Sequence, residues 1–229
     1  MEQISVIDCH EHLIPEERRI NAEVDVFTLF SHYTRHDLVN SGMPVEKYNL
    51  LHNHDIPLEI RWSMFEPYWE NIRNTSYSRS ALITAKKFYD ADDINLSTYR
   101  SITDKIKKAN KAGLYQRVLK DACNIEVSLV QIGFPFDEVD KAFFAPVVHL
   151  AFFDDACSWK GMSRPFFKPD AVINTLDDYL WAAEEFIANI KAKGAVGLKM
   201  PVREMKGEPS RQEALKAFSM LKDGTVEFL

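Results

Sequence analysis

Cysteine is scarce in this chain: three among 229 residues, Cys9, Cys123 and Cys157, far apart and odd in number. Such usage builds no disulfide framework and fits a reducing compartment, so the expected location is the cytoplasm. A CxxC pair is missing, which argues against a structural zinc site of the usual kind. No apolar run approaches the ~18 residues that cross a bilayer. The opening Met-Glu-Gln-Ile-Ser-Val-Ile lacks the basic and apolar regions of a signal peptide, so none is expected. Positive charge is in the minority, with 28 Lys and Arg against 34 Asp and Glu for a net charge of -6. That balance gives no electrostatic footprint for nucleic acid or for an anionic membrane surface. A Gly-rich phosphate loop and a GxSxG elbow are both missing, which disfavours nucleotide and serine-hydrolase chemistry.

What remains is ordinary globular material: 46% hydrophobic, 12% aromatic and 27% charged residues, enough for a sizeable core. Four short apolar runs read as strands buried on both faces: 4–9, 125–132, 147–153 and 195–200. Helical periodicity follows in 170–193, closed by Gly194, and in 209–221, which starts near Glu208–Ser210. Strand, helix, strand, helix predicts βα units on a parallel sheet. The exception is 13–122, which has no confident strand and reads as helices over 58–73, 77–89, 96–109 and 114–122. It is expected to be a helical insertion subdomain, with 1–12 and 123–229 forming the βα part. Loops of that length usually serve function.

The sharpest motif is Asp8-Cys9-His10-Glu11-His12. Residues two apart on a strand share a face, so His10 and His12 can point into one mouth of a barrel. Two neutral imidazoles there make a partial site for zinc or another divalent transition metal. Such a pair is also common as surface histidines; its place at the C-terminal end of the first strand favours the metal, because active sites of βα barrels lie at that end. His32, Tyr33, Arg35, His36 and Asp37 cluster just inside the insertion. They read either as a polar loop or as a clamp, with His32 and Arg35 gripping a substrate carboxylate. His52 and His54 repeat the spacing but read as a solvated loop. Trp62, Phe65, Tyr68, Trp69 and Tyr77 read as insertion core, with Tyr68 and Tyr77 able to present hydroxyls. His149 reads as a core histidine, Asp154 and Asp155 as carboxylates behind a ligand, and Arg203 as a second anion clamp.

The opening IDCHEHL, then LFSHYTRHDLVNSGMP, FEPYWENIRNTSYSRS and GAVGLKMPVR, resemble the amidohydrolase superfamily, near uronate isomerases and nodulin/FluG-type amidohydrolase domains. The resemblance implies an α/β fold of the (β/α)8 TIM-barrel type. Such a barrel takes about 200–250 residues; outside the insertion this sequence holds roughly half of that, so the first four βα units are expected, as from a truncated product. It implies further that His10 and His12 bind a divalent metal, Zn with Mn or Fe as alternatives. Lys199 stands where some members carry a carboxylated, metal-bridging lysine; otherwise it pairs with a carboxylate or reaches for water. The remaining ligands of the superfamily, on strands 5, 6 and 8, have no counterpart here. The expected function is a metal-dependent hydrolase cleaving a C–N or C–O bond of a small polar substrate, with His32, Arg35, Tyr68 and Arg203 as substrate contacts. The alternatives are a non-catalytic half barrel, one chain of a split enzyme, and a uronate isomerase-like or decarboxylase reaction. Expected partners are a small-molecule substrate and either a second copy of the chain or a complementing C-terminal half.

Overall fold

The computed structural model describes residues 4–133, 135–149, 173–199 and 207–223. The chain divides into two compact units, Met1–Pro15 with Tyr115–Leu229, and Glu16–Leu114.

The first unit is built on a four-stranded sheet of β1 (Val6–Glu11), β2 (Ile125–Gln131), β3 (Phe144–His149) and β4 (Gly197–Lys199). Its order is β1-β2-β3-β4, and every neighbouring pair is parallel. Each strand is short and falls at or near an apolar run of the sequence, as expected, but two details differ. β1 is not buried on both faces: Val6 is 42% and Ile7 59% exposed, because β1 is an edge of an open sheet. β3 begins at Phe144, ahead of the expected 147, despite Pro146. Proline cannot donate to the ladder, yet the Pro146 carbonyl still accepts from the Val196 N–H at 2.9 Å.

Two helices accompany the sheet. The helix α7 (Leu176–Lys193) starts at a capping box in which the Thr175 hydroxyl accepts from the Asp178 N–H and the Asp178 carboxylate accepts from the Thr175 N–H. It stops at Gly194, whose φ of 105° is left-handed and suits glycine. Phe186 and Ile190 pack on Val148 of β3. The helix α8 (Arg211–Lys222) uses the same device through Ser210 and Glu213, and buries Phe218 and Leu221 with Leu176. A π-helical segment, Gln116–Ala122, leads into β2. Among the described residues no helix is long and apolar enough to cross a membrane.

The second unit is helical. Its elements are α1 (Glu16–Ile20), a 3-10 turn at Val26–Phe30, α2 (Thr34–Asn40), α3 (Val45–Leu51), α4 (Leu58–Ile72), α5 (Ser76–Tyr89) and α6 (Tyr99–Ala109). The long helices were legible from their period. The expected start of α6 at 96 is displaced because the Thr98 hydroxyl accepts from the Asn95 N–H and donates to the Asp93 carbonyl, which holds 95–98 as a turn. Trp62, Phe65 and Trp69 are buried on one face of α4 against Phe27, Phe30 and Leu38, and Trp62 stacks on Tyr99. Tyr77 is not core; it is 44% exposed. Near the bottom of this core lies a buried ion pair: Arg61 donates to Asp25 Oδ2 at 2.6 Å and to the carbonyls of Leu51 and Ile56.

Candidate metal centre

Strand geometry brings the HxH pair to the C-terminal end of the sheet. β1 ends at Glu11, and His12 is the next residue. Two local hydrogen bonds fix the backbone there: the His10 N–H donates to Asp8 Oδ1 at 3.1 Å, and the His12 N–H to Glu11 Oε1 at 2.7 Å. Burial, with the Asp8 carboxylate as a further contributor, pushes the Glu11 carboxyl above its usual range.

The imidazoles converge. His10 Nε2 lies 2.9 Å from His12 Nε2, with ring centroids 4.9 Å apart. Lys199, at the end of β4, places Nζ 3.0 Å from His10 Nε2. Since β1 and β4 are the two opposite edges of the sheet, this contact requires a strongly curled sheet, as in part of a barrel.

This donor set can be tested for a metal on its own geometry. His10 Nε2 has one lone pair or one proton, yet an amine and a second imidazole both approach it. That crowding makes a poor hydrogen-bond network and a good meeting point for ligands. Two nitrogens each about 2.0–2.1 Å from one ion stand roughly 2.9–3.4 Å apart at octahedral to tetrahedral angles. The observed 2.9 Å separation falls at the short end of that range, and neutral imidazoles suit a divalent transition metal. Among the described residues no group of three or more His, Cys, Asp or Glu gathers, so the described residues offer His10 and His12 as a pair of candidate donors.

Beside His10 lies a cavity of ≈ 370 Å³, walled by Leu129, Val147 and Leu198 and edged by His10, Gln131 and Lys199. Cys9, an exposed free thiol, also reaches it. In the ladder His149 stands directly beside Lys199, so the two side chains share one face of the sheet. The sequence showed His149 only as a core residue. Gln131 escaped notice too, although its place two residues after Leu129 at the end of β2 was a usable signal.

The remaining expected site residues lie elsewhere. His32, Arg35 and Tyr68 belong to the helical unit. His32 adopts a left-handed backbone with φ 60°, which costs a non-glycine residue about 1–3 kcal/mol, and its ring meets Tyr33 edge-on at 4.1 Å. Tyr33 in turn stacks on Tyr77 at 5.2 Å. Arg35 lies over the Tyr48 ring, and Lys47 over Tyr68. His52 is not a solvated loop residue: burial pushes its imidazole below the usual range, although Asp25 opposes the shift. His54 lies 3.5 Å from Asp25. Arg203, Asp154, Asp155 and Cys157 lie outside the described residues.

No family model matches the sequence, and no curated protein matches it. Among solved structures the chain is similar to the crystal structure of uronate isomerase from Thermotoga maritima. The TM-score is 0.63 at 15% identity, covering 97% of this chain and 56% of that one. The chain thus spans little more than half the length of that protein, and the likeness is one of fold: a parallel sheet with helices, as in part of a TIM-type barrel.

Proposed function

We propose that this chain carries part of the catalytic centre of a metal-dependent enzyme of the amidohydrolase type. The reaction is hydrolysis of a C–N or C–O bond in a small polar substrate. The observation that carries the reading is the approach of His12 and Lys199 to His10, beside a cavity at the C-terminal mouth of a parallel sheet, the end at which βα barrels place their chemistry. His10 and His12 hold the divalent cation, zinc first. When bound, the cation lowers the pKa of a coordinated water and polarises the scissile group. Asp8 and Glu11 orient the two ligands through the backbone bonds already made. Lys199, as the neutral amine, adds to carbon dioxide; an N–C bond forms, a proton leaves, and the resulting carbamate supplies anionic oxygens. His32, Arg35, Tyr68 and Arg203 are the candidates for holding a substrate's polar groups.

The likeness to uronate isomerase supports a second reaction on the same scaffold, aldose–ketose isomerisation of a sugar acid. Both readings need ligands beyond His10 and His12, so this chain by itself should bind metal weakly and turn over slowly.

The test is a titration of zinc or manganese into the purified chain and into a His10→Ala, His12→Ala variant. Each is then assayed on small amides, lactones and uronates. Metal uptake by the parent and none by the variant supports the site. Turnover confined to uronates selects the second reaction. Equal uptake by both proteins sinks the HxH assignment.

A further inference from the structure

Gln131 is left without a task by the reading above. It closes β2 and stands in the ladder beside Val147, which stands beside Gly197. Ladder partners point to the same face, so these three form one inner layer, a rung below Lys199 and His149. In closed βα barrels such layers are filled by branched apolar side chains. Here the layer has an amide, a valine and a glycine. Gly197 leaves it roomy: among the described residues a Cβ there would meet Val147 Cγ2, at an ordinary 3.7 Å.

The carboxamide is not satisfied. Gln131 Oε1 is buried and has no hydrogen-bond partner among the described residues. A buried acceptor left unmade lowers stability, and such groups in native proteins ask for a reason. Gln131 borders the cavity that holds His10 and Lys199. A half-turn of the terminal amide, a soft rotation, exchanges its oxygen and nitrogen and offers either to a cavity occupant.

We infer that Gln131 is a specificity residue that grips a hydroxyl of the substrate in the cavity that His10 and Lys199 also line. The neighbours select the group. A cationic donor on the ligand is opposed by the Lys199 amine and by any cation on the histidines. An anion would leave the amide oxygen facing negative charge. A neutral hydroxyl donates to Oε1 and accepts from Nε2, and its carbon frame fits the apolar walls of Leu129, Val147 and Leu198. This inference shares its mouth with the proposed metal site and rests on that reading for its relevance to catalysis, but the grip itself needs no metal.

The experiment uses the full chain freed of metal by chelation, so that ligand chelation plays no part. Tartrate and succinate, which differ only by two hydroxyls, are compared as probes by ligand-observed NMR. The parent should prefer tartrate by about fivefold or more, the worth of a modest net hydrogen bond. Gln131→Met should erase the preference without lowering the urea midpoint, because it removes an unmade acceptor, and Gln131→Asn should restore part of it. A parent with no preference overturns the inference, as does a Met variant that keeps it. A Met variant with a lower midpoint, or one that fails to fold, also overturns it by showing that the amide is structural. A parallel zinc titration separates the two readings: tartrate preference without zinc uptake removes the metal and leaves Gln131 in place.

Discussion

Replacing Arg61 with Met asks how much of the helical unit hangs on one buried ion pair. Arg61 is 4% and Asp25 2% exposed. The guanidinium donates to Asp25 Oδ2 at 2.6 Å, to the Leu51 carbonyl at 3.0 Å and to the Ile56 carbonyl at 2.9 Å. Asp25 Oδ1 meanwhile accepts from the Phe27 N–H at 2.8 Å, capping the turn at Val26–Phe30. Methionine fills similar volume but strands a buried carboxylate and frees two carbonyls. Removing one partner of a buried pair costs about 3–5 kcal/mol. With a urea slope of about 2 kcal/mol/M, the midpoint falls by roughly 1.5–2.5 M. Urea unfolding of the full chain, followed through the emission of buried Trp62 and Trp69, reads this directly. Adding Asp25→Asn should return at least about 1 kcal/mol, because the stranded charge is gone. A single-variant loss below about 1 kcal/mol, or strict additivity of the two changes, would refute the reasoning.

Three further outcomes follow from the same geometry. His52 has a folded-state pKa held below its ordinary 6.5 by burial, so the unfolded chain binds more protons in the window below 6.5; stability is present above that value and lost as pH falls through it, and His52→Asn should flatten the slope between pH 7 and 5 in urea midpoints. Gly194→Ala, at φ 105°, should cost about 1 kcal/mol by thermal melting, since a Cβ is strained in that conformation although nothing crowds it. Exposed Ile7 on β1, an edge of the sheet among the described residues, should promote self-association, and Ile7→Lys should reduce it in sedimentation velocity, because a charge on an edge strand blocks pairing.

The sequence showed the parallel sheet because its strands fall in short, largely apolar runs that alternate with helical periods. It also showed the long helices α4, α5 and α7, whose apolar residues recur at helical spacing. It did not show α1, α2 or α3, each seven residues or fewer, which are too short for a period to emerge. The end of α3 is held by a tertiary bond, from Arg61 to the Leu51 carbonyl. The exposure of β1 was equally hidden, because residue type says what a strand prefers to bury and not whether a neighbour is there to cover it. In the site, His10 and His12 stood out by spacing. Their meeting with Lys199, 189 residues on, follows from sheet curvature that no local pattern encodes. Gln131 became visible only when its oxygen was found without a partner.

X-ray absorption at the zinc edge of the zinc-loaded full chain tests the central claim most directly, because it reports the ligands rather than the binding. Two imidazole nitrogens at about 2.0–2.1 Å should appear in the parent, together with oxygen scatterers, and the imidazole signature should vanish in the His10→Ala, His12→Ala variant. A spectrum with one imidazole or none, or one unchanged in the double variant, would contradict the assignment of His10 and His12 as a metal-holding pair.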